Sequence, residues 1–190
     1  EYSSNLGVRK AEFIDGKGFF LNGEITKFNG VSMHSDLGPL GTAINRAAIR
    51  HQIEILQDMG CNAIRTAHNP PAPELLDLCD EMGFIVQDEA FDMWRKRKTT
   101  YDYSRYFNEW HERDLTDFIL RDRNHPSIFM WSIGNEVLEQ WSDAAADTLS
   151  LAEANLILNF GHSADMLAKE GEKMSVNSLL TKKLADMVRS

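Results

Sequence analysis

Cysteine is nearly absent: the 190 residues hold two, Cys61 and Cys79. Cys61 opens an apolar run and Cys79 falls on the apolar side of a helical pattern, so both read as buried free thiols. With no histidine pair at ligand spacing they build neither a metal site nor a disulfide framework. Also missing is any apolar run near the roughly 20 residues that span a bilayer, so no membrane association is expected. Residues Glu1 to Lys10 lack the apolar centre of a secretory signal. They read as the middle of something longer, so the compartment stays unassigned. Basic residues are outnumbered, 20 against 29, for a formal charge of −9, and they are scattered rather than striped, which argues against a nucleic-acid surface. The phosphate-binding G-x-G-x-x-G spacing does not follow the first β-rich run, where the text is VSMHSDLGPLG, and nucleotide binding loses support.

What is present is the composition of an ordinary globular chain, 43% hydrophobic and 26% charged, long enough for one domain with a substantial core. Short β-rich runs alternate with longer helical patterns. The first run, Lys27 to Met33, passes through a Gly/Pro-rich loop into a helix with Ile49, Ile53 and Leu56 at helical spacing, closed by Gly60. Asn62 to Thr66 forms the second, followed by HNPPAP and a helix from Pro73 that Gly83 ends. The third, Phe84 to Gln87, leads through DEAFD and a charged loop, Arg95 to Lys98, to a long helix carrying Phe107, Trp110, Leu115, Phe118 and Ile119. Ser127 to Ile133 is the fourth, followed by a loop with Trp141 and two helical patterns, about Leu151 to Lys169 and Val176 to Arg189.

Strands separated by helices in this order imply right-handed crossovers and a parallel sheet covered on both faces. A doubly wound sheet and a (β/α)8 barrel both fit the alternation. Chemistry at the strand ends favours the barrel. His34, Ser35 and Asp36 end the first strand. The second carries Arg65 and then His68 and Asn69, the third ends at Asp88 and Glu89, and the fourth at Asn135 and Glu136. Parallel strands bring such ends to one rim, where barrel enzymes keep their catalytic groups. Carboxylates, imidazoles, an amide and a guanidinium suit sugar hydroxyls and proton transfer, and glycoside hydrolysis needs one carboxylic acid to protonate the leaving oxygen. Glu136 suits that task. Asp88 and Glu89 read mainly as structural. Asn124, His125 and Pro126 precede the fourth strand and belong to the opposite, stabilising rim. Trp94 and Trp141 are open between sugar platform and packing.

Three stretches, FFLNGEITKFNGVSMH, CNAIRTAHNPPAPELLDLCDEMGFIVQDEA and RDRNHPSIFMWSIGNE, together resemble glycoside hydrolase family 2, the family of β-galactosidases, β-glucuronidases and β-mannosidases. NHPSI followed by W-S-x-G-N-E is the most specific part. The resemblance implies the first four βα units of a catalytic (β/α)8 barrel in residues 18–190, with residues 1–17 as the end and linker of a preceding immunoglobulin-like domain. It implies Glu136 as general acid and then general base, Asn135 on the sugar 2-hydroxyl, and His34 and His68 on other hydroxyls. Arg65 would hold a nucleophilic carboxylate ionised or pair with Glu89, and Asn69 and Asp36 are weaker candidates for the same pocket.

The family's nucleophile is a glutamate on the seventh strand. Glu153, Glu170 and Glu172 fall in helical patterns and do not replace it, so the nucleophile is expected outside this chain and the chain alone is expected to be inactive. A complete barrel takes about 250 residues, so the sheet is expected to need the remainder of a longer protein, or self-association, to cover its edge strands. Some family members hold magnesium with a Glu and a His after strand three. DEAFDMWRK offers no such pair, so neither metal nor cofactor is expected. The expected activity is hydrolysis of a carbohydrate substrate, foremost a terminal β-galactoside. β-Glucuronidase or β-mannosidase activity, or a catalytically incomplete carbohydrate-binding fragment, are the alternatives.

Overall fold

The computed structural model of the chain describes residues 7–137 and 176–190. Trp141, Glu153, Glu170, Glu172 and the helical pattern from Leu151 lie outside the described residues. Two compact units divide the chain, Glu1–Asp88 with Leu120–Trp131, and Glu89–Ile119 with Ser132–Ser190.

The first unit opens with an antiparallel meander: β1 (Ala11–Ile14), β2 (Gly18–Leu21) and β3 (Glu24–Ile25). Ala11 pairs with Leu21 and Ile14 with Gly18, so the boundary expected after Lys17 falls in the turn of this hairpin. Phe19 on β2 is buried and contacts Phe13, Phe28 and Phe129, with ring centroids 4.8 to 5.7 Å apart.

A second sheet follows in the order β4 (Gly30–His34), β5 (Ala63–Ala67), β6 (Ile85–Glu89), β7 (Ile128–Ser132). β4 pairs with β5, and β5 with β6, in parallel. Side chains alternate between the faces of a strand. On one face Met33, Ile64, Val86 and Ile128 pack with Ile49 and Ile53 of α1 (Arg46–Asp58) and Leu75, Leu76 and Cys79 of α2 (Pro73–Met82). The other face is built in rows: Gly30, Ala63 and Ile85 at the bottom, beside Phe19 and Phe129; Ser32, Arg65 and Gln87 above them; then His34 beside Ala67. Arg65 is thus placed one row, about 7 Å of strand, below His34.

Local signals account for the helix ends. The Asn45 side chain accepts the Ala48 N–H at 3.0 Å, and Pro73 starts α2, which stops where Gly83 takes φ +76°, a conformation only glycine adopts without strain. Asp80 ties α2 to the approach to β7: its carboxylate contacts His125 Nδ1 at 2.7 Å and accepts the Ser127 N–H at 2.9 Å. Both described cysteines are free, and burial, reinforced by the charges of Asp80 and Asp88, pushes the Cys79 thiol up to about 12. Leu76 is fully buried between α2 and the sheet; Leu76→Ala is expected to cost about 2–5 kcal/mol, read as a lowered urea midpoint.

The second unit holds most of α3 (Ser104–Asp122), whose Phe107, Leu115 and Phe118 are buried. Trp110 is 37% exposed and lies under the Arg113 guanidinium, 5.3 Å from its ring centroid. α4 (Val176–Arg189) buries Leu184, and its Lys183 pairs with Glu112 and approaches His111 Nε2 at 3.3 Å. Among the described residues no helix is long and apolar enough to cross a membrane.

Candidate active site

In the first unit, β4 and β5 deliver two imidazoles to neighbouring positions. His34 ends β4 and His68 follows β5, with ring centroids 5.2 Å apart and planes near perpendicular, at 86°. His34 is exposed and His68 half-buried, so both are accessible to a polar ligand. His34 and Asn69 also line a cavity of about 300 Å³ with Thr66, Gln52 and Arg121. Asn69 donates to the Pro70 carbonyl at 3.1 Å. Asp36 spends its carboxylate on its own loop, accepting the Gly38 N–H at 2.7 Å. Arg65 is half-buried in the row beneath His34.

Behind these groups Asp88 and Asp122 are both fully buried. Asp88 accepts the Thr66 hydroxyl at 3.3 Å, and Asp122 is clamped by Arg121, whose Nε and Nη2 each donate at 2.6 Å while Nη2 also reaches the Pro71 carbonyl at 3.0 Å. Burial, with the nearby Asp122 charge, pushes the Asp88 carboxyl up to about 8; the Thr66 hydroxyl and Arg121 oppose the shift without cancelling it.

The second unit contains Glu89, Asn135 and Glu136. Glu89 is fully buried and accepts the Ser132 hydroxyl at 2.6 Å. Asn135 is buried and held at three atoms. Its N–H donates to the Phe91 carbonyl at 3.0 Å, its side-chain amide to Asp92 Oδ1 at 2.9 Å, and its carbonyl accepts from Lys98 at 2.6 Å. The next residue, Glu136, is exposed and sits at φ +41°, a left-handed conformation uncommon for any residue but glycine. The Glu136 carboxyl is thus presented to solvent from a backbone whose preceding residue, Asn135, is held in place.

Gly134 explains one letter of WSIGNE. A Cβ there would stand 2.8 Å from the Trp94 indole nitrogen and 2.8 Å from Val137. Trp94 is 1% exposed and gives its indole N–H to the Ile133 carbonyl at 2.7 Å, so it packs under the loop and is no sugar platform. Gly134→Ala is expected to push against Trp94 and Val137, to shift the Asn135–Glu136 segment and to cost about 1–3 kcal/mol, read as a lowered urea midpoint; an unchanged midpoint would show that the loop absorbs the methyl.

Lys98 and Asp92 were not singled out from sequence. In the charged loop Arg95 to Lys98, the Lys98 side chain is 8% exposed and Lys96 is 3% exposed. The only warning in the text is the acidic Asp92 six positions before Lys98. Among the described residues no group of three His, Cys, Asp or Glu side chains gathers to hold a metal ion.

Comparison with known proteins adds lineage to this geometry. The sequence profile of the glycosyl hydrolases family 2 TIM barrel domain matches residues 13–158. The chain is 73% identical over 188 residues to a β-galactosidase of Bacteroides ovatus, covering 99% of this chain and 22% of that protein. It is 35% identical over 146 residues to a β-glucuronidase of Streptococcus agalactiae, covering 71% of this chain and 24% of that protein. A solved β-glycosidase of Bacteroides vulgatus superposes with a TM-score of 0.68 at 45% identity, over 80% of this chain and 19% of that one. The chain therefore spans about a fifth to a quarter of the length of these relatives.

Proposed function

Because the chain belongs to glycosyl hydrolase family 2, whose TIM barrel domain it matches over residues 13–158, we propose that it supplies part of the catalytic barrel of a retaining β-glycosidase that removes terminal β-galactosyl residues. The observation that carries the choice of sugar is the 73% identity, over 99% of the chain, to a protein named as a β-galactosidase. The β-glucuronidase relative, at 35% identity, favours the second reading.

Glu136 gives its proton to the glycosidic oxygen as the bond from that oxygen to the anomeric carbon breaks, and the carboxylate of a nucleophile outside these 190 residues bonds to the same carbon. Water then attacks that carbon, its proton passes to Glu136, and the ester to the nucleophile breaks. Asn135 is assigned to the 2-hydroxyl of the galactosyl group that is transferred to the nucleophile, and His34 and His68 are the candidates for its other hydroxyls. Arg65, a row lower, supplies a fixed positive charge that favours the ionised nucleophile. In this reading the remainder of one longer polypeptide covers the outer strands of the four-strand sheet, β4 and β7.

The test is hydrolysis of aryl β-galactoside, β-glucuronide and β-mannoside by the intact protein, this chain within its natural flanking sequence, with the product anomer followed by NMR. Preferred release of β-galactose as the first product is expected. Initial α-galactose would overturn the retaining mechanism, and preference for the glucuronide would move the protein to the second reading.

A further inference from the structure

We infer that Lys98 is a positioning residue for the proton donor: its buried ammonium locks the Asn135–Glu136 peptide against the loop that follows β6. The inference rests on the reading of Glu136 as acid/base.

An ammonium this deeply withdrawn from water is costly unless its donors are satisfied. Lys98 has three N–H donors, and three acceptors surround it: the Asp92 carbonyl at 2.8 Å, Asp92 Oδ1 at 2.8 Å and the Asn135 carbonyl at 2.6 Å. Asp92 Oδ1 also accepts from the Asn135 amide at 2.9 Å. The result is a closed ring in which one cation and one carboxylate hold both the main chain and the side chain of Asn135, while the Phe91 carbonyl holds its N–H. The Asn135 carbonyl belongs to the peptide that enters Glu136, so its direction sets where the Glu136 carboxyl emerges. On the far side Val137 is 3% exposed and pins the exit. Lys98 is itself anchored: its own N–H and that of Thr99 donate to Asp102 Oδ2 at 2.6 and 2.8 Å, and Asp102 Oδ1 accepts from the Ser104 N–H and hydroxyl at the start of α3.

A lysine that only stabilised the loop would, when lost, lower all activities together. A lysine that aims the acid affects those reactions that need the acid. Leaving-group dependence of kcat/KM, which reports the step of glycosidic cleavage, separates the two. In the intact protein, Lys98→Met is expected to lower kcat/KM for phenyl β-galactoside by about 10²-fold, the cost of a misplacement near 1 Å. For 2,4-dinitrophenyl β-galactoside, whose leaving group departs without protonation, the loss is expected to stay under about threefold. Equal losses on both substrates, or no loss on either, would overturn the inference. Glu136→Gln run beside it separates the two readings. If Glu136→Gln shows no split, the acid/base assignment fails; if it shows the split and Lys98→Met does not, only the role of Lys98 fails. Should Lys98→Met not fold, Asp92→Asn keeps the volume and removes the shared carboxylate, and the same split, or its absence, decides.

Discussion

Glu136→Gln is expected to lower kcat/KM of the intact protein for phenyl β-galactoside by about 10²- to 10⁴-fold, the range that a positioned general acid contributes, and for 2,4-dinitrophenyl β-galactoside by less than about tenfold. The magnitude follows from the chemistry of the leaving group. Phenoxide is too basic to depart unprotonated, so the barrier rises by the whole value of the acid; dinitrophenoxide needs no proton. Glutamine has the volume of glutamate and Glu136 is exposed, so the melting temperature is expected to stay put, within the roughly 0.5 kcal/mol usual for surface changes. Loss of affinity with turnover untouched would show that Glu136 binds sugar and does not protonate it.

The second large effect concerns stability. Asp88 carries a carboxyl raised from its ordinary 3.8 to about 8 by burial and by Asp122. The folded chain therefore holds this proton more tightly than the unfolded chain does. Below about pH 4 both states are protonated and Asp88 adds no pH dependence. Between about pH 4 and 8 the unfolded state releases the proton first, so stability falls as pH rises, by up to about 1.4 kcal/mol per pH unit; above about 8 the penalty is complete. Asp88→Asn keeps an acceptor for the Thr66 hydroxyl and removes the ionisable group. It is expected to be more stable than the parent by a few kcal/mol at pH 8.5 and nearly equal at pH 4.5, measured by urea unfolding at both pH values. A parallel pH dependence in the two proteins would mean that Asp88 is ionised in the folded state and compensated by Arg121.

Much of the fold was legible because alternation and punctuation are local. Strands expected at Asn62 to Thr66 and Ser127 to Ile133 occur at Ala63–Ala67 and Ile128–Ser132, and Gly83 ends α2 as its position after the apolar stripe predicts. The hairpin was less legible. Whether β1 pairs with β2 or with a preceding domain depends on partners distant in sequence, and the ring of Phe19 between Phe13 and Phe129 is a tertiary fact. At the site, residue types at strand ends pointed to His34, His68, Asn135 and Glu136. Burial did not follow from type. Trp94 in a loop reads equally as platform or packing, and Gly134 decides for packing by letting the indole approach. Lys98 stands in a run of four basic residues whose burial the sequence does not reveal, and the acceptors of Asp92 and Asn135, 6 and 37 positions away, draw it inward. Such closures depend on loop geometry that no spacing rule encodes.

The most direct measurement is chemical rescue. In Glu136→Ala of the intact protein, with 2,4-dinitrophenyl β-galactoside as substrate, the glycosyl-enzyme forms but lacks a base to activate water, and azide, which needs none, takes its place. The account predicts that added azide restores turnover and that NMR identifies the product as β-galactosyl azide. Hydrolysis to galactose at the parent rate, with no azide adduct, would place the acid/base on another residue and contradict it.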